Sequence, residues 1–341
     1  MMTMHDEKIW EELERNALSG SEKKSLWYKE ITEISGNIVF YSFCLDTRSH
    51  GIIIRYPKTR NIYTLPPSSR GFKVRIDNFG SDNVTSDLLI SVAGEEYNDI
   101  FTIFAKELLR ILSNMSVPGD LIEYTLRYLR KWQNFMEKLT GDQLTPNQRL
   151  GLFGELFFLY NTIIPLIGVR AAILSWYGPD KKQQDFLFEN SNGVEIKTTI
   201  SKAPVSLSIS SEKQLDPTGF FNLFLHHIEV IEVKDSGKTL NDIVDQIRLA
   251  CLDDPEISME FMLKLTCCNY RQKDRKYYED IGYSTSKTST YLVSEDFPHI
   301  TAVNLKDGIC NVRYSILAAV LGPFAVEYSE FTRKIKEGYI V

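Results

Sequence analysis

The stretch with the most chemistry in it reads Gln184-Asp185-Phe186-Leu187-Phe188, Glu189-Asn190-Ser191-Asn192-Gly193, Val194-Glu195-Ile196-Lys197-Thr198-Thr199-Ile200. Two short apolar runs flank a polar turn that ends in glycine, which predicts a β-hairpin. Side chains alternate along a strand, so parity decides which residues share a face. With Phe188 paired to Val194, Asp185 lies opposite Lys197 and Leu187 opposite Glu195. Asp185, Glu195 and Lys197 then project on one face, and Phe186, Phe188, Val194, Ile196 and Ile200 point into a core on the other. Two carboxylates beside an ammonium suit a hard cation such as Mg2+, which keeps several waters and accepts substrate phosphate oxygens. Such a cation activates water and stabilises charge on a phosphate under attack. The lysine can orient the nucleophile or neutralise developing negative charge. Glu-x-Lys alone is a common tripeptide, and a surface hairpin with an ordinary salt bridge is its plainer reading. The upstream aspartate at matching parity weighs against that reading.

The elements around the hairpin must position these groups. Thr145 followed by Pro146 reads as an N-cap with proline at the first helical position, so a helix is predicted over residues 146–161. Leu152, Phe153, Leu156, Leu159, Tyr160 and Ile163 define its apolar arc. Glu155 falls at the arc's edge, on the side of Gly151 and Gly154, where it could meet a neighbouring sheet; a solvated rim glutamate is the bland alternative. Each mid-helix glycine costs roughly 1 kcal/mol relative to alanine, which calls for a packing or functional reason. After the hairpin, Val205-Ser206-Leu207-Ser208-Ile209-Ser210 alternates as a strand, and Ser211-Glu212-Lys213-Gln214 has capping-box spacing for a further helix. A helix start there would offer free N–H groups to a phosphate, with Ser211, Lys213 and Gln214 adding contacts.

Upstream, residues 6–34 are charged with short apolar spacings and predict one or two short helices. Residues 38–45, 51–56, 72–76 and 88–92 are strand-like runs separated by breakers, as in an antiparallel sheet. Amphipathic helices follow over 99–112 and 120–139. The length of 341 residues implies about two domains, at roughly 100–200 residues each. The division expected is a β-rich region over 1–115 and a second domain over 116–341 with a helical lead-in.

With 39 Lys+Arg against 45 Asp+Glu, the net charge of −6 rules out a uniformly basic nucleic-acid coat, but not a local basic cleft. Five scattered cysteines fit neither a disulfide framework nor a CxxC pair of zinc ligands, and the five histidines lack ligand spacing. The N-terminal ten residues are polar and acidic, unlike a signal peptide. The apolar stretch 316–326 is far short of the roughly 20 residues a membrane helix needs. A soluble, cytoplasmic protein with no membrane partner is expected. For a phosphate-bearing partner, Lys181, Lys182, Lys202 and Lys213 lie closest in sequence to the hairpin acids. Arg271, Lys273, Arg275 and Lys276, interleaved with tyrosines, form a second candidate, though a solvated loop between strands would look the same.

Taken together, the helix glutamate, the aspartate, the Glu-x-Lys hairpin and the strand after it resemble the PD-(D/E)XK nuclease superfamily. More narrowly, residues 151–160, 176–180, 184–186, 195–199 and 210–215 resemble a little-characterised bacterial family within it, found among restriction and phage-defence genes. The resemblance implies an α/β restriction-endonuclease-like core, a central mixed sheet flanked by helices, behind the β-rich N-terminal region. It also implies a Mg2+-dependent DNA endonuclease, with Mn2+ as a substitute. By position, Asp185 and Glu195 would be metal ligands assisted by the main-chain carbonyl of Ile196, Lys197 the superfamily lysine, and Glu155 the helix acid and a further candidate ligand. The literal Pro179-Asp180 dipeptide competes with Asp185, but Asp180 has the wrong parity for the hairpin face. DNA, other defence-system subunits and a homodimer, which would supply two active sites for two strands, are the partners implied. The competing reading is a non-catalytic nucleic-acid-binding or assembly subunit that retains the fold.

Overall fold

The structure is a computed structural model and describes residues 5–19, 24–58, 71–79, 84–113, 121–138, 143–178, 183–234, 236–337 and 339. The chain divides into two compact units, Met1–Gly141 and Asp142–Val341. In the first, α1 (His5–Ser19) is followed by β1 (Leu26–Ile34), β2 (Asn37–Cys44), β3 (Ser49–Pro57), β4 (Phe72–Asp77) and β5 (Thr85–Val92). These strands form an antiparallel sheet in the order β1-β2-β3-β5-β4. Then come α2 (Asn98–Ser113) and α3 (Leu121–Lys138).

Two expectations change here. Of the one or two short helices expected over 6–34, only α1 forms among the described residues, and Leu26–Ile34 is instead an edge strand with a bulge between Glu30 and Thr32. Its Leu-Trp-Tyr and Ile-Thr residues favour a pleated surface, and Ser35 and Gly36, with φ of 51° and 74°, form the tight turn that folds it onto β2. Half-exposure gave the strand its helix-like polarity. The boundary also lies later than 115/116, because the helical lead-in belongs to the first unit. Leu121, Ile122, Leu126, Leu129 and Trp132 of α3 are buried, and Trp132 packs edge-on to Phe104 of α2 at 5.5 Å.

The second unit begins with α4 (Pro146–Phe158), capped by Thr145, whose side chain accepts from the Gln148 N–H while Gln148 reaches back. A π-helical turn (Leu159–Ile163) leads into α5 (Ile164–Ser175), which bends at Gly168. The remaining elements are β6 (Phe186–Leu187), β7 (Asn192–Ile200), β8 (Ser206–Ile209), β9 (Asn222–Lys234), β10 (Lys238–Thr239), α6 (Leu240–Ala250), α7 (Pro255–Cys267), β11 (Ile281–Leu292), β12 (Tyr314–Leu317), β13 (Ala325–Val326) and α8 (Tyr328–Lys336). The main sheet runs β10-β11-β9-β7-β6 with β13 on β11, and β12 pairs with β8 apart from it. It is mixed, because β7 and β9 are parallel while its other pairings are antiparallel.

The core joins Phe153, Leu156 and Phe158 of α4 to Val194 and Ile196 of β7, Phe224 and Ile228 of β9, and Ile243 and Ile247 of α6. By length and composition the 30-residue helical run Pro146–Ser175 could cross a membrane, a run the sequence reading did not single out. Here it is bent at Gly168 and much of its apolar surface is buried in this core. Ile200, expected in the core, is 45% exposed at the end of β7.

Candidate active site

The hairpin forms, but in a different register. Phe186 pairs with Val194 and Leu187 with Gly193, so Asp185 lies across from Glu195 rather than Lys197. The cause is a short turn: Phe188 and Asn192 close around Glu189, Asn190 and Ser191, with Ser191 in the left-handed region at φ 59°. The slip is two residues, so parity survives, and Asp185, Glu195 and Lys197 share a face as expected.

On that face the Lys197 ammonium donates to Glu195 Oε1 at 2.7 Å and to Gln214 Oε1 at 3.2 Å. Asp185 Oδ2 accepts from the Ile196 N–H at 2.7 Å. A strand residue presents its N–H and C=O to the same edge, so the Ile196 carbonyl faces the side on which Asp185 sits. Glu195 is only 1% exposed, and its second oxygen, Oε2, is buried without a hydrogen-bond partner. Burying a carboxylate oxygen unpaired is costly, so this one calls for a partner.

Glu155 reaches the same place from α4. Gly154 is what lets the helix close in, since a Cβ there would overlap the Thr198 side chain of β7; nothing crowds Gly151. Glu155 Oε2 accepts from the Trp176 indole N–H at 2.8 Å. Burial, then the charge of Asp185, holds the Glu155 carboxyl well above its ordinary pKa. Burial also raises Asp185, although the Lys197 charge and the Ile196 N–H oppose it. Burial and the Asp185 charge push Glu195 up to about 8. Burial alone would lower Lys197, but Glu195 and Asp185 outweigh it and its pKa is raised. One lysine does not neutralise three clustered acids, and the site therefore favours a further cation or a retained proton.

The predicted helix after β8 is absent. Residues 212–215 make a single turn, which Pro217 and Gly219 (φ 89°) prevent from propagating. No helix N-terminus therefore serves a phosphate there. The turn instead fastens the site: Gln214 Oε1 also accepts from the Ser210 N–H at 2.8 Å, and Gln184 Nε2 donates to the Lys213 carbonyl at 3.1 Å. Ser211 Oγ accepts from the Lys213 N–H, and the Lys213 and Lys202 side chains are exposed. Pro179, Asp180, Lys181 and Lys182 lie outside the described residues.

The second basic segment is not a solvated loop. Tyr270 and Tyr278 are core residues around a short 3-10 helix, Gln272–Tyr277. Arg271 pairs with Asp274 and Arg275 with Asp245 of α6, both at 2.6 Å, while Lys273 and Lys276 are exposed. His226 and His227 bond to Thr290 and Thr199, and burial lowers them to about 3 and about 4, so they are neutral structural groups. Sequence reasoning gave no role to Trp176 and Gln184, although both lie in segments that carried the resemblance.

A mixed sheet whose hairpin aligns aspartate, Glu-x-Lys and a helix glutamate defines a PD-(D/E)XK-type, restriction-endonuclease-like fold. A family model described as "Putative PD-(D/E)XK family member, (DUF4420)" matches residues 7–318, and the chain belongs to that family. No curated protein and no solved structure matches it.

Proposed function

We propose that the protein is a Mg2+-dependent endonuclease that hydrolyses DNA phosphodiesters, acting in a bacterial restriction or phage-defence system. The observation that carries this reading is the buried Glu195, with one oxygen on Lys197 and the other unpartnered, directly across from Asp185. Among the described residues no group of three or more His, Cys, Asp or Glu forms a ready-made metal cage. The reading therefore rests on the two hairpin carboxylates, since Mg2+ can be held by one or two carboxylates with water and substrate oxygens completing its shell. Asp185 and Glu195 would hold it, with the Ile196 carbonyl and Glu155 as further oxygen donors. Bound there, it would activate water and offset charge on the phosphate.

The chain's own groups do the rest. Lys197 stays charged because its acid neighbours raise its pKa, so it can hold an attacking oxygen or stabilise a phosphoryl oxygen. Gln214 fixes the direction of its ammonium. The exposed Lys202 and Lys213 can meet the DNA backbone. The test is plasmid nicking in Mg2+ by wild type, Asp185→Ala and Lys197→Ala, with folding followed by circular dichroism. Both variants should remain folded and lose cleavage. Undiminished cutting by both would sink the assignment, and a wild type that binds Mg2+ and DNA without cutting would favour the assembly-subunit reading.

A further inference from the structure

Trp176, Tyr177 and Gly178 follow α5 and touch both sides of the site. Trp176 is fully buried and forms an isolated bridge with Phe186. The Tyr177 and Gly178 N–H groups donate to the Asp185 carbonyl at 2.7 and 3.1 Å. The Trp176 indole N–H donates to Glu155 Oε2, and the Gly178 Cα lies so close that a Cβ would overlap that carboxylate oxygen. The segment is braced from behind: the Lys264 ammonium of α7 donates to the Trp176 carbonyl and sits 5.1 Å from the centre of the Tyr177 ring. One three-residue segment therefore sets the place of Asp185 through its backbone and of Glu155 through an indole.

We infer that Trp176 is a positioning residue that holds the Glu155 carboxylate beside Asp185 and keeps it directed at the metal-binding edge, with Gly178 leaving the space it needs. This rests on the metal-site reading above. Asp185, Glu195 and Lys197 all face Glu155 with charges of both signs, and the hydrogen bond that fixes one of its oxygens comes from the indole. Tryptophan is a donor only, so its N–H can hold an anionic oxygen without competing for the cation. Groups that orient a metal ligand in this way typically account for about 10–100-fold in affinity or activity.

Trp176→Phe removes the N–H and keeps most of the ring, while Gly178→Ala leaves the N–H and places a methyl group where the carboxylate oxygen sits. Calorimetric titration of the full chain with Mg2+ and with Mn2+ gives a readout independent of cutting. Each variant should weaken metal binding about 10–100-fold, with a matching loss of nicking and a native circular dichroism spectrum. The indole N–H resonance that Trp176→Phe deletes should move in Glu155→Gln even without metal. If folded Trp176→Phe and Gly178→Ala bind Mg2+ as wild type does, the inference is overturned and the metal site stands. If wild type itself binds neither metal, the metal-site reading fails and takes this inference with it. If Trp176→Phe does not fold, Gly178→Ala and the indole shift decide.

Discussion

Glu195 shows how far a folded site can move one carboxyl group. Its folded pKa of about 8 stands above the ordinary 4.5, so across that window the folded chain keeps a proton that the unfolded chain has released. Stability from this group is complete below the unfolded value and is lost as pH rises through the folded one. The metal-free protein should therefore melt a few degrees higher near pH ~6 than near pH ~8.5, given roughly 2–4 °C per kcal/mol for a unit of this size. Glu195→Gln should reduce that dependence in melts run with a chelator, leaving the part that the raised Glu155 and Asp185 contribute. An equal slope in wild type and variant would show that Glu195 is not the group titrating. Residue type and strand parity put Asp185, Glu195 and Lys197 on one face, while the helical arc put Glu155 at its edge with a solvated rim position left open. The proton surplus was not legible, because it depends on how deeply each group is buried.

α4 makes a contrasting pair of predictions from two glycines that look alike in sequence. Gly154→Ala would drive a methyl group into Thr198 and should cost about 1–3 kcal/mol by overpacking, moving Glu155 with the helix. Gly151→Ala meets nothing within 4 Å and should stabilise by up to ~1 kcal/mol through helix propensity. Urea denaturation of the two variants checks both signs, and destabilisation by both would refute this reading of the helix contact. Periodicity found α4 because its start is encoded locally, in Thr145, Pro146 and Gln148. It failed at 211–215, where the capping pattern was present but Pro217 stopped the helix and Gln214 bonded to Ser210 and Lys197 instead. The hairpin register was likewise beyond pattern reading, because it turned on one left-handed residue, Ser191, which closes the turn before Gly193 and leaves that glycine paired inside β7. β1 shows the same limit from the other side, since an edge strand mixes polar and apolar residues much as a short helix does.

The charge balance of the chain bears on how it could meet DNA. A net −6 leaves little nonspecific attraction to phosphate, and the structure reduces it further by pairing Arg271 with Asp274 and Arg275 with Asp245. Whatever charge the acids of the candidate site carry should oppose a DNA backbone until a cation offsets it. DNA binding by the whole protein should therefore be weak in chelator and strengthen with Ca2+, a hard cation that can occupy oxygen ligands. Among the cations proposed for contact, Lys202 and Lys213 are exposed, Lys213 in the turn that carries Gln214, whereas Arg271 and Arg275 are committed to acids within their own unit. Each of Lys202→Ala and Lys213→Ala should lower the slope of log affinity against log salt by about 1, uniformly across DNA sequences. Arg271→Ala should leave that slope unchanged and lower the melting temperature, because it strands Asp274 in a buried position. Fluorescence anisotropy on a labelled duplex in Ca2+, run over a salt series, separates the two groups. A slope lost with Arg271 but kept without the lysines would move the DNA path to the 271–276 segment.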